Sequence, residues 1–195
     1  MNLDNINTLA ILGNKNSCKT NLMFFLMKEY KEKDKGNKSL YLMGYPKKIN
    51  GFKQISSLTE LSQVTDALIG VDELSKILPV YSKATNEKLM ELLSTMAHNN
   101  NALIFTTNLT QFITKALDGF IDGFCFTRIN DLGQLKNGSK AKRLLQEFKN
   151  IKINNWSLNL NNGEYIEIID NNKIGENGLK EFPNQNIGKD WKIPK

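Results

Sequence analysis

Short apolar runs alternate along this chain with stretches in which apolar residues recur every three or four positions. The runs at residues 8–12, 39–43, 67–71, 102–106, 123–126 and 165–169 predict strands, with helices between most of them. Residues 21–35 predict a helix whose apolar face carries Leu22, Phe25, Leu26 and Tyr30. Residues 86–97 predict another, with Leu89, Met90, Leu93 and Met96 as a core-facing stripe and Thr85 as its N-cap. Further helices are expected at residues 74–78, at 111–117 behind an N-cap at Thr110, and at 141–149. Such alternation argues a parallel sheet covered by helices on both faces and joined by right-handed crossovers.

The pattern changes in the last third. From residue 152 to 170 apolar and polar residues alternate, as in Trp156-Ser157-Leu158-Asn159-Leu160, and the turn Asn161-Asn162-Gly163 leads into Glu164-Tyr165-Ile166-Glu167-Ile168-Ile169. This predicts a β-hairpin that extends the sheet at one edge. Beyond Asp170 the chain is rich in Asn, Gly and Lys, with little periodicity. The expected organisation is one α/β domain over residues 1–170 and an extended tail over 171–195. Phe182, Trp191 and Ile193 are available to anchor that tail on this subunit or a neighbour. With 195 residues and 40% apolar content the chain can bury one sizeable core.

The first strand runs into Gly13-Asn14-Lys15-Asn16-Ser17-Cys18-Lys19-Thr20 and then a helix, which is a phosphate-binding loop with one substitution. A loop of this kind turns successive backbone N–H groups inward at the positive end of a helix dipole, so Gly13 to Thr20 are expected to hold a nucleotide's phosphates. Gly13 permits the tight turn out of the strand. Lys19 is expected to reach the β- and γ-phosphates as a point charge, and the Thr20 hydroxyl to ligate Mg²⁺. Cys18 stands where the pattern has its second glycine; a Cβ there restricts the backbone and brings a side chain close to the phosphates.

Two other strand ends carry candidate chemistry. Ala67-Leu68-Ile69-Gly70-Val71 ends in Asp72-Glu73. Downstream of a phosphate loop, Asp72 is expected in the Mg²⁺ shell and Glu73 as the group that polarises an attacking water. The same two acids also suit the cap and first turn of the next helix. The run Ala102-Leu103-Ile104-Phe105 ends in Thr106-Thr107-Asn108, where Asn108 is expected to hydrogen-bond the γ-phosphate or the water and the threonines to terminate the strand. The alternative is a Thr/Asn turn that caps the following helix.

This succession resembles the FtsK–HerA superfamily of DNA-pumping ATPases: phosphate loop, apolar strand with Asp-Glu, helix, apolar strand ending Thr-Thr-polar. In particular it is similar to the small genome-packaging ATPases of viruses with double-jelly-roll capsids, over residues 9–127. The resemblance implies a P-loop NTPase three-layer sandwich with a mostly parallel, RecA/ASCE-like sheet. It also implies ATP and Mg²⁺ as cofactors, a homo-oligomeric ring, and double-stranded DNA and capsid proteins as partners. Residue by residue it gives Lys19 and Thr20 as phosphate and Mg²⁺ ligands, Asp72 and Glu73 as the acidic pair, and Asn108 where relatives usually carry Gln. Residues 96–99, where relatives often have an arginine, have none, and the helix after the sensor strand offers only Lys115. The chain's arginines are Arg128 and Arg143. Arg128, at the end of the strand over 123–126, is the favoured arginine finger, with Arg143 as the other candidate and a surface salt bridge as the alternative use.

A net charge of +6 suits a phosphate-rich partner, although an AT-rich genome would also enrich lysine and asparagine. Candidate DNA contacts are Lys47, Lys48 and Lys53, and Lys136, Lys140, Lys142 and Arg143; a solvated face suits the first cluster somewhat better than DNA contact and the second equally well. Cys18 and Cys125 form no metal or disulfide spacing. Cys18, at a helix N-terminus beside Lys19, is expected to be reactive; Cys125 is expected in the core and His98 on the surface. With no membrane-spanning run and no signal peptide, the expected location is the host cytoplasm, or a virion after synthesis there.

Three functions compete. The leading one is an ATP-driven translocase of double-stranded DNA, of the viral genome-packaging kind. The second is a nucleotide-binding structural or assembly protein with weak or lost turnover. A small-molecule kinase comes last, because such enzymes use several arginines to clamp two phosphorylated substrates.

Overall fold

The computed structural model describes residues 6–34, 37–77, 83–108, 118–135, 137–147, 157–169 and 178–183. They contain an eight-stranded sheet in the order β3-β2-β4-β5-β1-β6-β7-β8. Six strands are parallel: β1 (Thr8–Leu12), β2 (Ser39–Met43), β3 (Lys53–Ile55), β4 (Ala67–Val71), β5 (Ala102–Thr107) and β6 (Gly123–Phe126). β7 (Glu164–Ile169) and β8 (Gly178–Glu181) join antiparallel at one edge.

Successive strand residues point to opposite faces, so a strand covered on both sides is apolar throughout. In β1, Leu9 and Ile11 enter one core with Leu22, Leu26 and Met27 of α1 (Lys19–Lys33), while Ala10 and Leu12 enter the other. That second core holds Leu89, Leu93 and Met96 from α4 (Lys83–Thr95) and the turn after it, and Leu144 and Leu145 of α5 (Lys140–Glu147). The result is the expected three-layer P-loop NTPase sandwich. Short helices α2 (Leu58–Ser62) and α3 (Leu74–Ile77) flank β4 in the chain.

β5 lies between β1 and β4, with Leu12 opposite Thr107 and Val71 opposite Phe105. The loop after β1, the acids after β4 and the polar end of β5 therefore meet at one edge of the sheet, where the carboxyl ends of parallel strands bind ligands.

Several expectations are corrected. The turn at Asn161 to Gly163 forms, with Gly163 at φ 96° and the Glu164 N–H donating to the Asn161 carbonyl at 3.1 Å. It does not join the two arms of a hairpin, because β6 and β8 occupy both edges of β7; Leu158 instead bridges Ile129. Residues 178–181, expected in an extended tail, are strand β8. The reason is tertiary: Glu167 of β7 is fully buried and takes the Lys180 ammonium of β8 as its partner, while Phe182 packs on Tyr165 and Phe25. Thr85 lies inside α4 rather than capping it. The helix expected at residues 111–117, Thr110, Lys115, Lys136, Trp191 and Ile193 lie outside the described residues.

Candidate active site

The loop after β1 is pinned from both sides. A Cβ on Gly13 would lie 1.9 Å from Thr127 Oγ1 and 2.6 Å from Ser17 Oγ, so only glycine fits where β1 and the end of β6 close on each other. The Ser17 and Thr127 hydroxyls sit 2.6 Å apart and join loop to strand end. Asn14 ties the loop further: its N–H donates to the Arg128 carbonyl at 3.0 Å, and its side-chain oxygen accepts from the Asn130 N–H at 2.6 Å. The Asn14 carbonyl accepts from Ser17 Oγ and from Lys19 Nζ, each at 2.7 Å.

Lys19 opens α1 and is buried, with Nζ also donating to Asn108 Oδ1 at 2.8 Å. Burial lowers the pKa of its ammonium from the ordinary value, while the carboxylates of Glu73 and Asp72 oppose that shift. A buried cation at the N-terminus of a helix suits an anion. Cys18, the N-cap of α1, has φ 62° and ψ 19°, and Asn16 has φ 61°. This left-handed region explains why the loop pattern carries glycine there; a side chain in it costs about 1 kcal/mol. Cys18→Gly is therefore expected to raise the unfolding free energy by about 0.5–1 kcal/mol, the relief being partly offset by glycine's freedom in the unfolded chain. A urea unfolding curve with an unchanged or lower midpoint would show that the thiol's contacts outweigh the strain.

The acidic pair forms one hydrogen-bonded cluster with the loop and β5. Thr20 Oγ1 donates to Asp72 Oδ1 at 2.8 Å, and Thr106 Oγ1 donates to the same oxygen at 3.1 Å. The Thr106 hydroxyl accepts in turn from the Glu73 N–H at 2.8 Å. That contact holds Glu73 at φ 59°, a left-handed turn that swings the chain from β4 into α3 and leaves the carboxyl buried. Asn108 Nδ2 donates to Glu73 Oε2 at 2.6 Å; the Asn108 N–H at 3.3 Å and the Ser75 hydroxyl donate to Oε1. Asn108 thus stands between the loop cation and the acid.

These groups line a cleft of about 710 Å³. Of the five non-glycine residues with left-handed φ among the described residues, Asn16, Cys18 and Glu73 are in its wall, which marks it as the place where the fold holds strained backbone. Lys15, Asn16, Ser17, Cys18, Lys19, Thr20, Asp72, Glu73 and Asn108 line it as a group, while Gly13 and Asn14 are not among the lining residues. Asn108 is hydrogen-bonded to Lys19 and Glu73 rather than standing open to the cleft. Arg128 is not among the lining residues; its backbone holds the loop, and its half-buried side chain has an Nε without a hydrogen bond among the described residues. Thr106, read as a strand terminator, is the hydroxyl that joins Asp72 to Glu73; the signal was its place on the strand next to the acids. Ser75 and Lys76 carried no signal.

The basic clusters also divide. Lys140 is half-buried and donates to the Ile121 carbonyl at 2.6 Å, and Lys142 donates to Asn137 Oδ1 at 2.7 Å. Lys53 lies 5.3 Å from the Tyr41 ring centre. Lys47 and Lys48 are exposed on a loop fixed by buried Ile49 and by the edge contacts of Tyr45 and Phe52 with Phe24 of α1. Cys125 is fully buried, and burial raises its thiol's pKa well above the usual value. His98 is exposed. Among the described residues no helix is long and apolar enough to cross a membrane.

No family model matches this chain, and no curated protein matches it by sequence. Solved structures do match. The genome packaging NTPase B204 from Sulfolobus turreted icosahedral virus 2, in complex with AMPPCP, superposes with a TM-score of 0.61 at 12% identity, over 91% of this chain and 98% of that one. The conjugation coupling protein TcpA of pCW3, with ATPγS, gives 0.55 at 12% identity over 93% of this chain and 61% of that one. ATPases 2 and 3 of EssC from Geobacillus thermodenitrificans give 0.55 at 9% identity over 90% of this chain and 39% of that one. The chain thus carries the P-loop NTPase fold of B204, and the resemblance to FtsK–HerA ATPases holds at the level of the fold.

Proposed function

We propose that this chain binds and hydrolyses ATP and uses the turnover to move double-stranded DNA, as a viral genome-packaging motor. The observation that carries the reading is the convergence of Lys19 and Glu73 on Asn108, which puts a phosphate-seeking cation and a carboxylate base in one cleft. The loop from Lys15 to Thr20 would cradle the phosphates with its backbone N–H groups and Lys19. Thr20 and Asp72 offer hard oxygen donors side by side, a set that fits Mg²⁺ and not a softer metal. When bound, Mg²⁺ supplies charge neutralisation on the phosphates. Glu73 would orient and deprotonate the attacking water, and Asn108 would hold Glu73 and meet the γ-phosphate. Arg128, outside this chain's own cleft, would act as a finger only on a neighbouring subunit's nucleotide, within a homo-oligomeric ring. Capsid proteins are the further partners, and the host cytoplasm or the virion the place.

Lys47 and Lys48, exposed on the loop that leaves the carboxyl end of β2, are the best-presented DNA contacts. Duplex binding should be independent of sequence and should weaken steeply with salt, since each neutralised phosphate releases counterions. The Lys47→Gln/Lys48→Gln pair should lower the slope of log affinity against log salt by about 2, roughly one per lost phosphate contact. A wild-type chain with no affinity for duplex even at low salt would remove the translocase reading and favour a nucleotide-dependent assembly role.

A further inference from the structure

The cleft's charges set a problem for a triphosphate. Lys19 is flanked by Asp72 and Glu73, whose negative charge offsets its own, and neither arginine lines the cleft. Two other cations do among the described residues: Lys15, on the exposed crown of the loop, and Lys76. Lys76 lies on α3, three residues beyond Glu73, and its N–H donates to the Glu73 carbonyl at 2.9 Å. The left-handed φ of Glu73 starts that turn, so the strained residue that carries the base also places this lysine on the same wall of the cleft. Among the described residues the Lys76 ammonium has no hydrogen-bond or ion-pair partner.

We infer that Lys76 is a catalytic residue acting in cis: its ammonium contacts the γ-phosphoryl oxygens and supplies the cation that no arginine supplies from within this cleft. The inference rests on the ATPase reading above. In the step, the water oxygen forms a bond to the γ-phosphorus as the bond to the β–γ bridging oxygen breaks. The electron pair leaves with ADP and the water's proton goes to the Glu73 carboxylate. Charge grows on the bridging oxygen and stays spread over the γ-oxygens. Lys19 serves the loop side of the phosphates; Lys76, exposed at the cleft with its backbone N–H bonded to the Glu73 carbonyl, serves the side from which water attacks. A point charge on a flexible stem does this less well than a forked guanidinium, so a slow motor is expected.

The test compares wild type, Lys76→Ala and Lys76→Arg. Lys76→Ala should lower kcat by about 100-fold, the typical effect of removing one transition-state donor, with KM for ATP changed less than about threefold. It should bind ADP like wild type yet fail to trap ADP with aluminium fluoride, a mimic of the transferring phosphoryl; Lys76→Arg should restore both. A merely structural lysine would move ADP affinity as well and would not separate the two ligands. Mixing Lys76→Ala with Glu73→Gln should recover no activity, because each chain lacks one half of the same site; recovery would show action in trans and overturn the inference. A wild type that turns over beside an equally active Lys76→Ala overturns this inference alone. A wild type with no turnover overturns the ATPase reading, and this inference with it.

Discussion

Lys19→Ala should abolish measurable ATP binding. The ammonium is buried at the mouth of α1, and each charge-assisted contact that it would make to phosphate contributes about 1.5–3 kcal/mol. Losing two such contacts lowers affinity by a factor on the order of 100 to 10,000. The variant also strips a donor from the Asn14 carbonyl and from Asn108 Oδ1, which leaves Ser17 as the loop's internal tie to that carbonyl. Neither acceptor belongs to the apolar core, and the two core clusters contain nothing of this side chain, so the fold should survive. Titration of a labelled ATP analogue, with circular dichroism as the control, checks this. A folded variant with wild-type affinity would remove Lys19 from the site.

Glu73→Gln should do the opposite, leaving binding intact and lowering turnover by about 100- to 10,000-fold, because an amide cannot take the water's proton. The environment sharpens the expectation. The carboxylate accepts from Asn108 Nδ2, the Asn108 N–H and Ser75 Oγ, so a glutamine keeps one acceptor but sets an NH₂ against at least one donor. A small loss of stability should therefore accompany the large loss of rate. Full turnover in this variant would place the base elsewhere.

What the sequence made legible follows burial. β1, β4 and β5 are buried along their whole length and mostly apolar because both faces are covered, and their limits could be read to within a residue. β3 could not be read: Lys53 and Gln54 are exposed and only Ile55 reaches the core. β8 escaped for a different reason. Its alternation is supplied by the lysine that partners buried Glu167, and a lysine reads as solvent-facing until that partner is known. The same missing knowledge turned a real turn at Gly163 into the wrong hairpin, since local turn chemistry does not say which strand occupies an edge.

In the site, Lys19, Thr20, Asp72, Glu73 and Asn108 were legible because spacing fixes the phosphate loop and strand ends collect ligands. Thr106 depended on β5 lying beside β4, and Lys76 on the left-handed φ of Glu73. Cys18 reads as a defect in the sequence. In the structure it is a residue held in a backbone conformation that glycine would occupy without strain.

Phosphate release from ATP by the wild-type chain, measured with Mg²⁺ and with or without duplex DNA, tests the central claim most directly. A motor built on this cleft should release phosphate steadily, and faster when duplex is present. A folded chain that releases none under either condition would contradict it.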